Sequence, residues 1–374
     1  MSALTRIGFL RHDFLPPSET FIYTSMRALD RYQACPFAIR RRSEAKFPAD
    51  DVVTLEGHPF GRLESWLYST AAWSPRFARW ARSVKLIHAH MGFTGAYALG
   101  AARRNGLPLV TSYYGADVTL RRSRLRFKPE YWRYGLFAHA LWRHGDRFLV
   151  LSAHMRDDLV AQGCPADKVR VVPLGVDFAR FAGPRERRAT SRPTVLMVGR
   201  EVDKKGFDDG LAACAAARDA GVDLRVSFLG MGKAGAAPLK ALAARLGLEV
   251  DWLDPATPVP GVMAAADILL VPSRTAANGD QEGTPTVICE GSAAALPIVS
   301  TRHAGIPEQV ADGETGLLAP ERDVAGLAAH LVSLARDADL RHTLGLAGRE
   351  KMQREYSLAA LRNNLQSVYD ELLR

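Results

Sequence analysis

A group of cations follows a predicted strand in the second half of the chain. The segment 198–207 has the sequence VGREVDKKGF, in which the strand ends at Gly199 and Arg200 follows at once. Lys204 and Lys205 come next, and a predicted helix begins near Gly206. Cationic side chains beside a helix N-terminus bind phosphate, because the free amides and the helix dipole favour an anion. On these residues alone, a phosphate site and a solvated turn are equally supported, since charge is common where strands end.

A second segment of interest, 282–290, has the sequence EGTPTVICE and follows a predicted strand that ends in ILLVPS. Thr284 is predicted to cap a helix, with Pro285 as its first residue. The small residues Gly283 and Thr284 would let a ligand approach the free N–H groups of that helix, which bind anions. The segment therefore predicts a second source of anion-binding atoms.

The two carboxylates of this segment suggest the rest of a ligand. Glu282 and Glu290 cannot bind phosphate, but they can accept hydrogen bonds from hydroxyl groups such as those of a sugar and a ribose. Together with the cations, they predict a site for a sugar–diphosphate–nucleoside. Two alternatives stay open here. One is a glycosidase pair, which would not use cations or an anion-binding helix end; the other is a purely structural pair of acids.

Polar residues also follow predicted strands in the first half of the chain. Glu19, in PSETF, begins a predicted helix after the first strand. Its charge either favours the helix dipole or helps to position an acceptor or donor sugar. His88 and His90 lie at a strand exit in IHAHMG. We predict that His88 belongs to the core and that His90 is the better ligand-binding candidate.

Short apolar runs alternate with helical patterns along the chain, which predicts parallel α/β sheets with right-handed crossovers. The chain of 374 residues is long for one core, and the charged segment FAGPRERRATSRPT at 181–194 has no apolar period, so it is predicted to be a linker. The predicted domains are 1–185 and 186–355, followed by a C-terminal helix, 356–374, that packs back toward the N-terminal domain. Ligands of two such domains are expected in the crevice at the carboxyl ends of their strands. Strands are predicted at 6–10, 52–55, 86–88, 109–112, 147–151, 169–172, 195–198, 224–229, 268–271 and 297–300. Helices are predicted at 93–104, 153–162, 207–220, 237–246, 285–294, 324–335, 340–354 and 358–372.

Composition limits the class of protein. Hydrophobic residues make up 47% and charged residues 24% of the chain, which is typical of a globular protein. The four cysteines form no C-x-x-C pair, so neither zinc nor redox chemistry is indicated, and a reduced cytosol fits them. No stretch approaches the roughly 18 apolar residues of a membrane span. The expected location is the cytoplasm, at most at the inner face of a membrane.

The net charge of +9 suggests an anionic partner or simply a basic composition. No zinc-finger spacing, RNA-binding aromatic motif or basic zipper is present, so nucleic acid is not expected. Two stretches are both basic and aromatic. They are equally compatible with core aromatics beneath solvated cations and with a surface that binds anionic lipid. Their residues are Trp66, Trp73, Arg76, Phe77, Arg79, Trp80, Arg82 and Lys85, and then Arg121, Arg122, Arg124, Arg126, Lys128, Tyr131 and Trp132.

The combination of VGR…KKG, PS…EGTPTVICEGSAAALPIVST and AGIPEQVADGETGLL resembles the family 4 glycosyltransferases of GT-B fold. LSAHMRDDLVAQGCPADKVRVVPLGVD, at 151–177, is similar to their sequence at the end of the first domain, and the string SETF resembles exopolysaccharide and colanic-acid-type members. The resemblance covers most of the chain from residue 86 onward and is most specific between 198 and 318. It implies two Rossmann-like domains with a central crevice, sugar transfer with retention, and no cofactor or divalent metal.

The resemblance also implies roles for individual residues. Arg200 and Lys205 match the pair that holds the donor diphosphate. Glu290 matches the residue that contacts the ribose, and Glu282 the one that contacts donor-sugar hydroxyls. Backbone groups near the phosphates would come from four neighbouring residues, Gly283, Thr284, Pro285 and Thr286. The implied partners are a nucleoside-diphosphate sugar and a glycan or lipid-linked saccharide acceptor, with an anionic membrane surface as a further candidate.

One position departs from the family. Many relatives have a histidine–glycine step after the fifth strand, whereas TSYYGADVT places Tyr114 before Gly115. A phenol is not a base at neutral pH, so a role assigned to that histidine does not transfer. Asp117 is predicted to orient the loop, and with Glu19, His90 and Tyr114 it makes up the candidate acceptor or sugar site.

Two other functions remain possible from the sequence. One is another GT-B enzyme, such as a nucleotide-sugar epimerase or a phosphorylase, and the other is a catalytically silent nucleotide-sugar-binding protein. The one D-x-D of the chain, at 337–339, is predicted to lie between late helices at the surface.

Overall fold

The structure is a computed structural model that describes residues 4–16, 19–49, 51–119, 132–181, 190–230 and 236–374. The chain forms two compact units, the first comprising residues 1–175 and 358–374 and the second residues 176–357. Pro17, Ser18, the basic stretch 121–131 and most of the predicted linker lie outside the described residues.

The first unit contains a seven-stranded parallel sheet in the order β5-β3-β1-β6-β7-β8-β9 and a short parallel pair, β2-β4. The strands are β1 (Thr5–Leu10), β2 (Asp13–Phe14), β3 (Tyr32–Ala38), β4 (Arg40–Arg41), β5 (Val53–Thr54), β6 (Leu86–His90), β7 (Leu109–Ser112), β8 (Arg147–Val150) and β9 (Val169–Val171). The order reverses between β1 and β6, which is the switch point where a doubly wound domain binds ligands.

Helices cover both faces of this sheet, as the buried apolar strands require. They are α1 (Thr20–Ala28), α2 (Gly61–Ala71), α3 (Pro75–Arg82), α4 (Gly92–Asn105), α5 (Ala116–Thr119), α6 (Trp132–His144) and α7 (Ala153–Ala161). The predicted cap of α7 is confirmed, because the Ser152 side chain accepts from the Met155 N–H at 3.2 Å. The last helix of the chain, Leu358–Leu372, belongs to this unit and packs on α1.

The second unit contains a six-stranded parallel sheet in the order β12-β11-β10-β13-β14-β15. The strands are β10 (Thr194–Gly199), β11 (Arg225–Gly230), β12 (Val250–Trp252), β13 (Ile268–Val271), β14 (Ile298–Thr301) and β15 (Gly316–Ala319). Here the order reverses between β10 and β13, so the two strands that precede the sequence motifs are direct neighbours.

The helices of the second unit are α8 (Phe207–Asp219), α9 (Ala237–Arg245), α10 (Val259–Ala265), α11 (Thr286–Ala293), α12 (Ile306–Gln309), α13 (Val324–Arg336) and α14 (Ala338–Glu355), so that the final helix of the chain is α15. The prediction for the start of α11, with Thr284 as its cap and Pro285 as its first residue, was wrong by one residue, because Pro285 occupies the cap position and Thr284 does not cap the helix. Pro285 flanks the helix with φ −62° and ψ 115°, an extended conformation, and Thr286 is the first helical residue. Helix ends commonly differ by a residue from their predicted position. Proline fixes φ but leaves ψ free, so Pro285 can be extended and precede the helix.

Candidate active site

The two motifs of the second unit meet because β10 and β13 are hydrogen-bonded neighbours, with Val195 opposite Ile268. The segments that follow these two strands leave the sheet at the same edge, and Lys205 Nζ lies 2.8 Å from Glu282 Oε1. The Lys205 side chain is 14% exposed and the Glu282 side chain 9%. A largely desolvated ion pair is stronger than a surface one, so these two groups hold each other at the centre of the site.

Lys204, the neighbouring cation, has a different task. Its Nζ lies 3.1 Å from Asp280 Oδ1 and donates to the Gln281 carbonyl at 3.0 Å. The two lysines of the motif therefore make different contacts. Lys204 ties the loop before Glu282 to the β10–α8 connection, and Lys205 contacts the carboxylate at the site.

Arg274 holds the same connection from the other side. Its guanidinium contacts Asp203 at 2.7 Å, Asp208 at 3.0 Å and Asp209 at 2.7 Å. Asp208 and Asp209 are in the first turn of α8, so that helix N-terminus is already supplied with carboxylates. The start of α8 is therefore less suited to an anion than the start of α11, whose first turn contains no acidic residue.

The turn into α8 depends on Gly206. Its φ is +59°, and a Cβ there would lie 2.0 Å from the Pro272 carbonyl oxygen. Any other residue would push the Lys204–Lys205 turn away from β13.

Arg200 extends from the end of β10 and is exposed. Within the described part of the chain its side chain has no hydrogen bond or ion pair, so its guanidinium is available to a ligand. The start of α11 adds neutral donors. Gly283, Thr284 and Pro285 are buried, Thr286 is exposed, and the first amides of a helix have no partner within it.

The ionisation of Glu282 is set by opposing effects. Burial disfavours its charge, but the cations Lys205 and Lys204 outweigh burial and hold the pKa of Glu282 below its ordinary value. Glu282 is thus a carboxylate at neutral pH and accepts hydrogen bonds only.

Glu290 lies one turn into α11 and behaves differently. Burial raises the pKa of Glu290 to about 7, and Arg180 only partly opposes this shift. No described residue donates a hydrogen bond to its carboxylate. A buried carboxylate without a donor is costly, so the ionised form of Glu290 favours a ligand that donates to it.

Two residues that were not predicted from the sequence, His303 and Glu321, lie beside the main chain of Glu282. His303 Nε2 lies 3.1 Å from the Glu282 amide nitrogen, and His303 Nδ1 lies 2.6 Å from Glu321 Oε1. A histidine two residues after the end of β14, in STRHAGIPE, was the available indication for His303. Glu321 had none, because only folding brings it to this edge.

In the first unit, Glu19 precedes α1 and is buried. Its two oxygens accept from Arg11 at 2.9 Å and 2.7 Å, and the Arg11 guanidinium lies 5.2 Å from the centre of the Phe93 ring. The carboxylate makes no capping hydrogen bond to α1. Its charge is thus paired with a cation at the exit of β1.

His90 is the last residue of β6, which is longer than predicted, and its side chain is fully buried. His90 Nδ1 lies 2.6 Å from the Tyr114 hydroxyl, and burial together with His88 and Arg11 lowers the pKa of His90 far below its ordinary value. Its Nε2 is buried without a hydrogen bond to any described residue. His88 bonds Tyr369 at 2.7 Å and Ser112 at 2.7 Å, so its prediction as a core residue is confirmed.

Asp117 is buried and accepts three backbone hydrogen bonds, from Gly92 at 2.9 Å, Tyr114 at 2.9 Å and Gly115 at 3.1 Å. It joins the start of α4 to the loop after β7, as the prediction that it orients this loop requires. Burial also raises the pKa of the Tyr114 phenol. Glu19, His90, Tyr114 and Asp117 therefore lie together at the carboxyl ends of β1, β6 and β7.

The first basic and aromatic stretch contains both kinds of residue. Phe77 and Trp80 are buried in the core, whereas Trp66 is 61% and Trp73 38% exposed. Among the described helices, none has the length and apolarity to cross a membrane. The D-x-D segment begins between α13 and α14 and continues into α14. Asp337 caps α14 by accepting from Leu340 at 2.8 Å, and Asp339 lies in the first turn of that helix.

Comparison with known proteins agrees with this architecture. Residues 18–180 match a family described as Glycosyltransferase Family 4, and residues 192–337 match Glycosyl transferases group 1. The chain is 33% identical over 291 residues to WcaL of Salmonella typhimurium, assigned to colanic acid biosynthesis as a glycosyltransferase, with 75% of this chain and 69% of WcaL covered. It is 32% identical to the amylovoran biosynthesis glycosyltransferase AmsK of Erwinia amylovora, with 76% and 69% covered.

The fold is also shared with solved structures. Anabaena HepE, solved with UDP and glucose, superposes with a TM-score of 0.76 at 19% identity, over 98% of this chain and 100% of HepE. The two parallel sheets, their strand orders and the sequence matches agree with one another. They confirm the family that the motifs predict, and the chain belongs to the family 4 glycosyltransferases of GT-B fold.

Proposed function

We propose that this glycosyltransferase takes a sugar from a nucleoside-diphosphate sugar and transfers it, with retention, to a hydroxyl of a glycan or lipid-linked saccharide in cell-surface polysaccharide synthesis. The relatives WcaL and AmsK are named for colanic acid and amylovoran biosynthesis, which supports this class of product. The main structural support is the contact between Lys205 and Glu282 beside the first turn of α11. A cation, a carboxylate and free amides at one sheet edge match a diphosphate attached to a sugar.

Each group has a role in this proposal. Arg200, Lys205 and the free amides of α11 bind the diphosphate. They stabilise the negative charge that grows on it as the sugar–phosphate bond breaks. Glu282 accepts from donor-sugar hydroxyls and Glu290 from the ribose. The acceptor hydroxyl attacks the oxocarbenium-like carbon from the face that the phosphate leaves, and the departing phosphate takes its proton. No enzyme nucleophile is needed.

We expect donor turnover without a divalent metal, because the cations and amides of the site supply the charge that a metal would. A thermal-shift screen that includes UDP-glucose and GDP-mannose selects the donor, since a ligand of the native state raises its apparent stability. Turnover is then measured with EDTA, with magnesium and with manganese, and the anomeric configuration of the product is determined by NMR.

Equal rates in EDTA and an unchanged anomeric configuration are the expected results. Loss of turnover in EDTA that metal restores would contradict metal independence, and inverted product would contradict retention. Conversion of donor without acceptor would indicate an epimerase instead. Binding without any turnover would indicate a silent nucleotide-sugar-binding protein.

We also propose that the first unit binds anionic membrane surfaces. Phe60, Leu63, Trp66 and Trp73, here called the α2 patch, lie on and beside α2 and are 69%, 55%, 61% and 38% exposed. The next helix carries the exposed cations Arg79 and Arg82. Aromatic and apolar side chains near cations favour the interface of an anionic bilayer.

In flotation assays, the protein should bind phosphatidylglycerol vesicles and detach as salt screens the charges. The double variant Leu63→Ser and Trp66→Ser should lose most of this binding. Leu346→Ser, which removes a 39% exposed leucine from the second unit, is the matched control and should bind like the wild type. Equal binding to neutral and anionic vesicles would rule out the electrostatic contribution.

A further inference from the structure

A buried histidine connects three adjacent strand ends of the second unit. Glu282 follows β13, His303 follows β14 and Glu321 follows β15, and these strands are consecutive in the sheet. The His303 side chain is 0% exposed, with Nε2 3.1 Å from the Glu282 amide nitrogen and Nδ1 2.6 Å from Glu321 Oε1. The imidazole therefore bridges the main chain of a site residue and a carboxylate outside the site.

The partners determine which ring nitrogen of His303 carries the hydrogen. A backbone N–H can only donate, so Nε2 facing Glu282 must accept. The hydrogen is then on Nδ1 and is donated to Glu321. The opposite tautomer would place two donors face to face at Glu282 and leave two acceptors facing each other at Glu321. The geometry thus requires the neutral imidazole with hydrogen on Nδ1.

Glu321 is itself fixed in place. It accepts from the Thr275 amide at 2.8 Å and from the Thr275 hydroxyl at 3.2 Å. Burial disfavours its charge, but these bonds and His303 outweigh burial and lower the pKa of Glu321. Gln281 also donates to the Thr275 hydroxyl at 3.2 Å. One carboxylate therefore holds both ends of the 275–282 loop, directly at Thr275 and through His303 at Glu282.

We propose that His303 and Glu321 are positioning residues for the donor sugar. They fix the Glu282 main chain, and with it the direction in which the Glu282 carboxylate meets Lys205 and a ligand. The inference rests on the proposed function only for the assignment of Glu282 to the donor sugar. Neither residue makes a hydrogen bond or ion pair with Arg200 or Lys205, the side chains proposed to bind the diphosphate. Their loss should therefore reduce recognition of the sugar and not of the nucleoside diphosphate.

Three variants separate hydrogen bonding from packing. His303→Phe keeps a ring of similar volume but cannot accept from Glu282. His303→Gln can accept with its oxygen and donate with its amide, so it should restore function. Glu321→Gln is nearly isosteric. Its amide group must face either His303 or the Thr275 N–H, and one hydrogen bond is lost in either orientation.

Calorimetry on the full chain with UDP-glucose, GDP-mannose, UDP and GDP gives the ratio of the affinity for the nucleotide sugar to that for the nucleoside diphosphate. The additional affinity that the sugar provides over the nucleoside diphosphate should fall about tenfold in His303→Phe and in Glu321→Gln, as expected for one lost hydrogen bond to a charged group. It should recover in His303→Gln. Affinity for UDP or GDP should stay within about threefold of wild type. Equal losses for nucleotide sugars and diphosphates in His303→Phe would overturn a positioning role.

An independent measurement does not depend on any donor. In protein with ¹⁵N-labelled histidine, the two-bond ¹H–¹⁵N pattern of His303, identified by its absence in His303→Gln, should show hydrogen on Nδ1. Hydrogen on Nε2 in the wild type would overturn the proposed relay. If the wild type bound neither nucleotide sugar while His303 showed the Nδ1 tautomer, the assigned donor would be wrong and the relay would stand.

Discussion

Replacing Lys205 or Arg200 with alanine should lower kcat and weaken binding of both the donor and the free nucleoside diphosphate. A charge-assisted contact of this kind contributes about 1.5–3 kcal/mol, or roughly ten- to hundredfold. The negative charge of the leaving diphosphate grows in the transition state, so the loss is larger there than in the ground state. Steady-state kinetics and calorimetry on each variant give the two effects separately.

The same measurements divide the site between sugar and phosphate. Glu282→Ala should weaken binding of the nucleotide sugar and leave the affinity for the free nucleoside diphosphate nearly intact, because Glu282 is assigned to the sugar. Arg302→Ala removes a 53% exposed cation of the same unit and is the matched control, with no change expected. If Glu282→Ala weakened diphosphate binding as much as Arg200→Ala, the orientation of the donor would have to be reversed.

Donor affinity should fall steeply below neutral pH because of Glu290. Burial raises the pKa of Glu290 to about 7, and the ribose hydroxyls donate best to its ionised form. As pH decreases through 7, the free protein takes up a proton that donor binding must expel. Affinity then falls by up to about tenfold per pH unit. Glu290→Gln, which does not titrate, should bind the donor more weakly at high pH and show little dependence on pH.

The sign for folding is opposite. A carboxyl group with a raised pKa stabilises the native state at low pH, and this contribution is lost as pH rises through 7. Donor affinity and the Glu290 contribution to stability should therefore change in opposite directions. The measurement is calorimetry with a nucleotide sugar from about pH 5.5 to 8.5. A nucleotide sugar is used because it has no terminal phosphate, whose second ionisation near pH 6 would add its own pH dependence. A wild-type profile as flat as that of Glu290→Gln would exclude this role.

The elements that carry the site were predictable from local patterns. β7, β13 and α15 have the predicted bounds, because alternation of apolar strands and amphipathic helices is a property of neighbouring residues. The strand β3 was missed, since it contains Pro36, and proline argues against a strand between two others. The short strands β12 and β15 contain charged or glycine residues and lack a clear apolar pattern.

The family was also evident from the sequence, because a motif is recognised by its residue types and their spacing alone. The same holds for the motif residues Arg200, Lys205, Glu282 and Glu290. The tertiary structure decided what depends on contacts between distant residues. It separates Lys204, which ties the 275–282 loop, from Lys205 at the site. It pairs Glu19 with Arg11 and Tyr114 with His90.

The tertiary structure also gave His303 its bridge to Glu321. The order of strands in a parallel sheet places residues from separate segments side by side at one edge. A sequence shows the residues at each strand end but not which ends become neighbours.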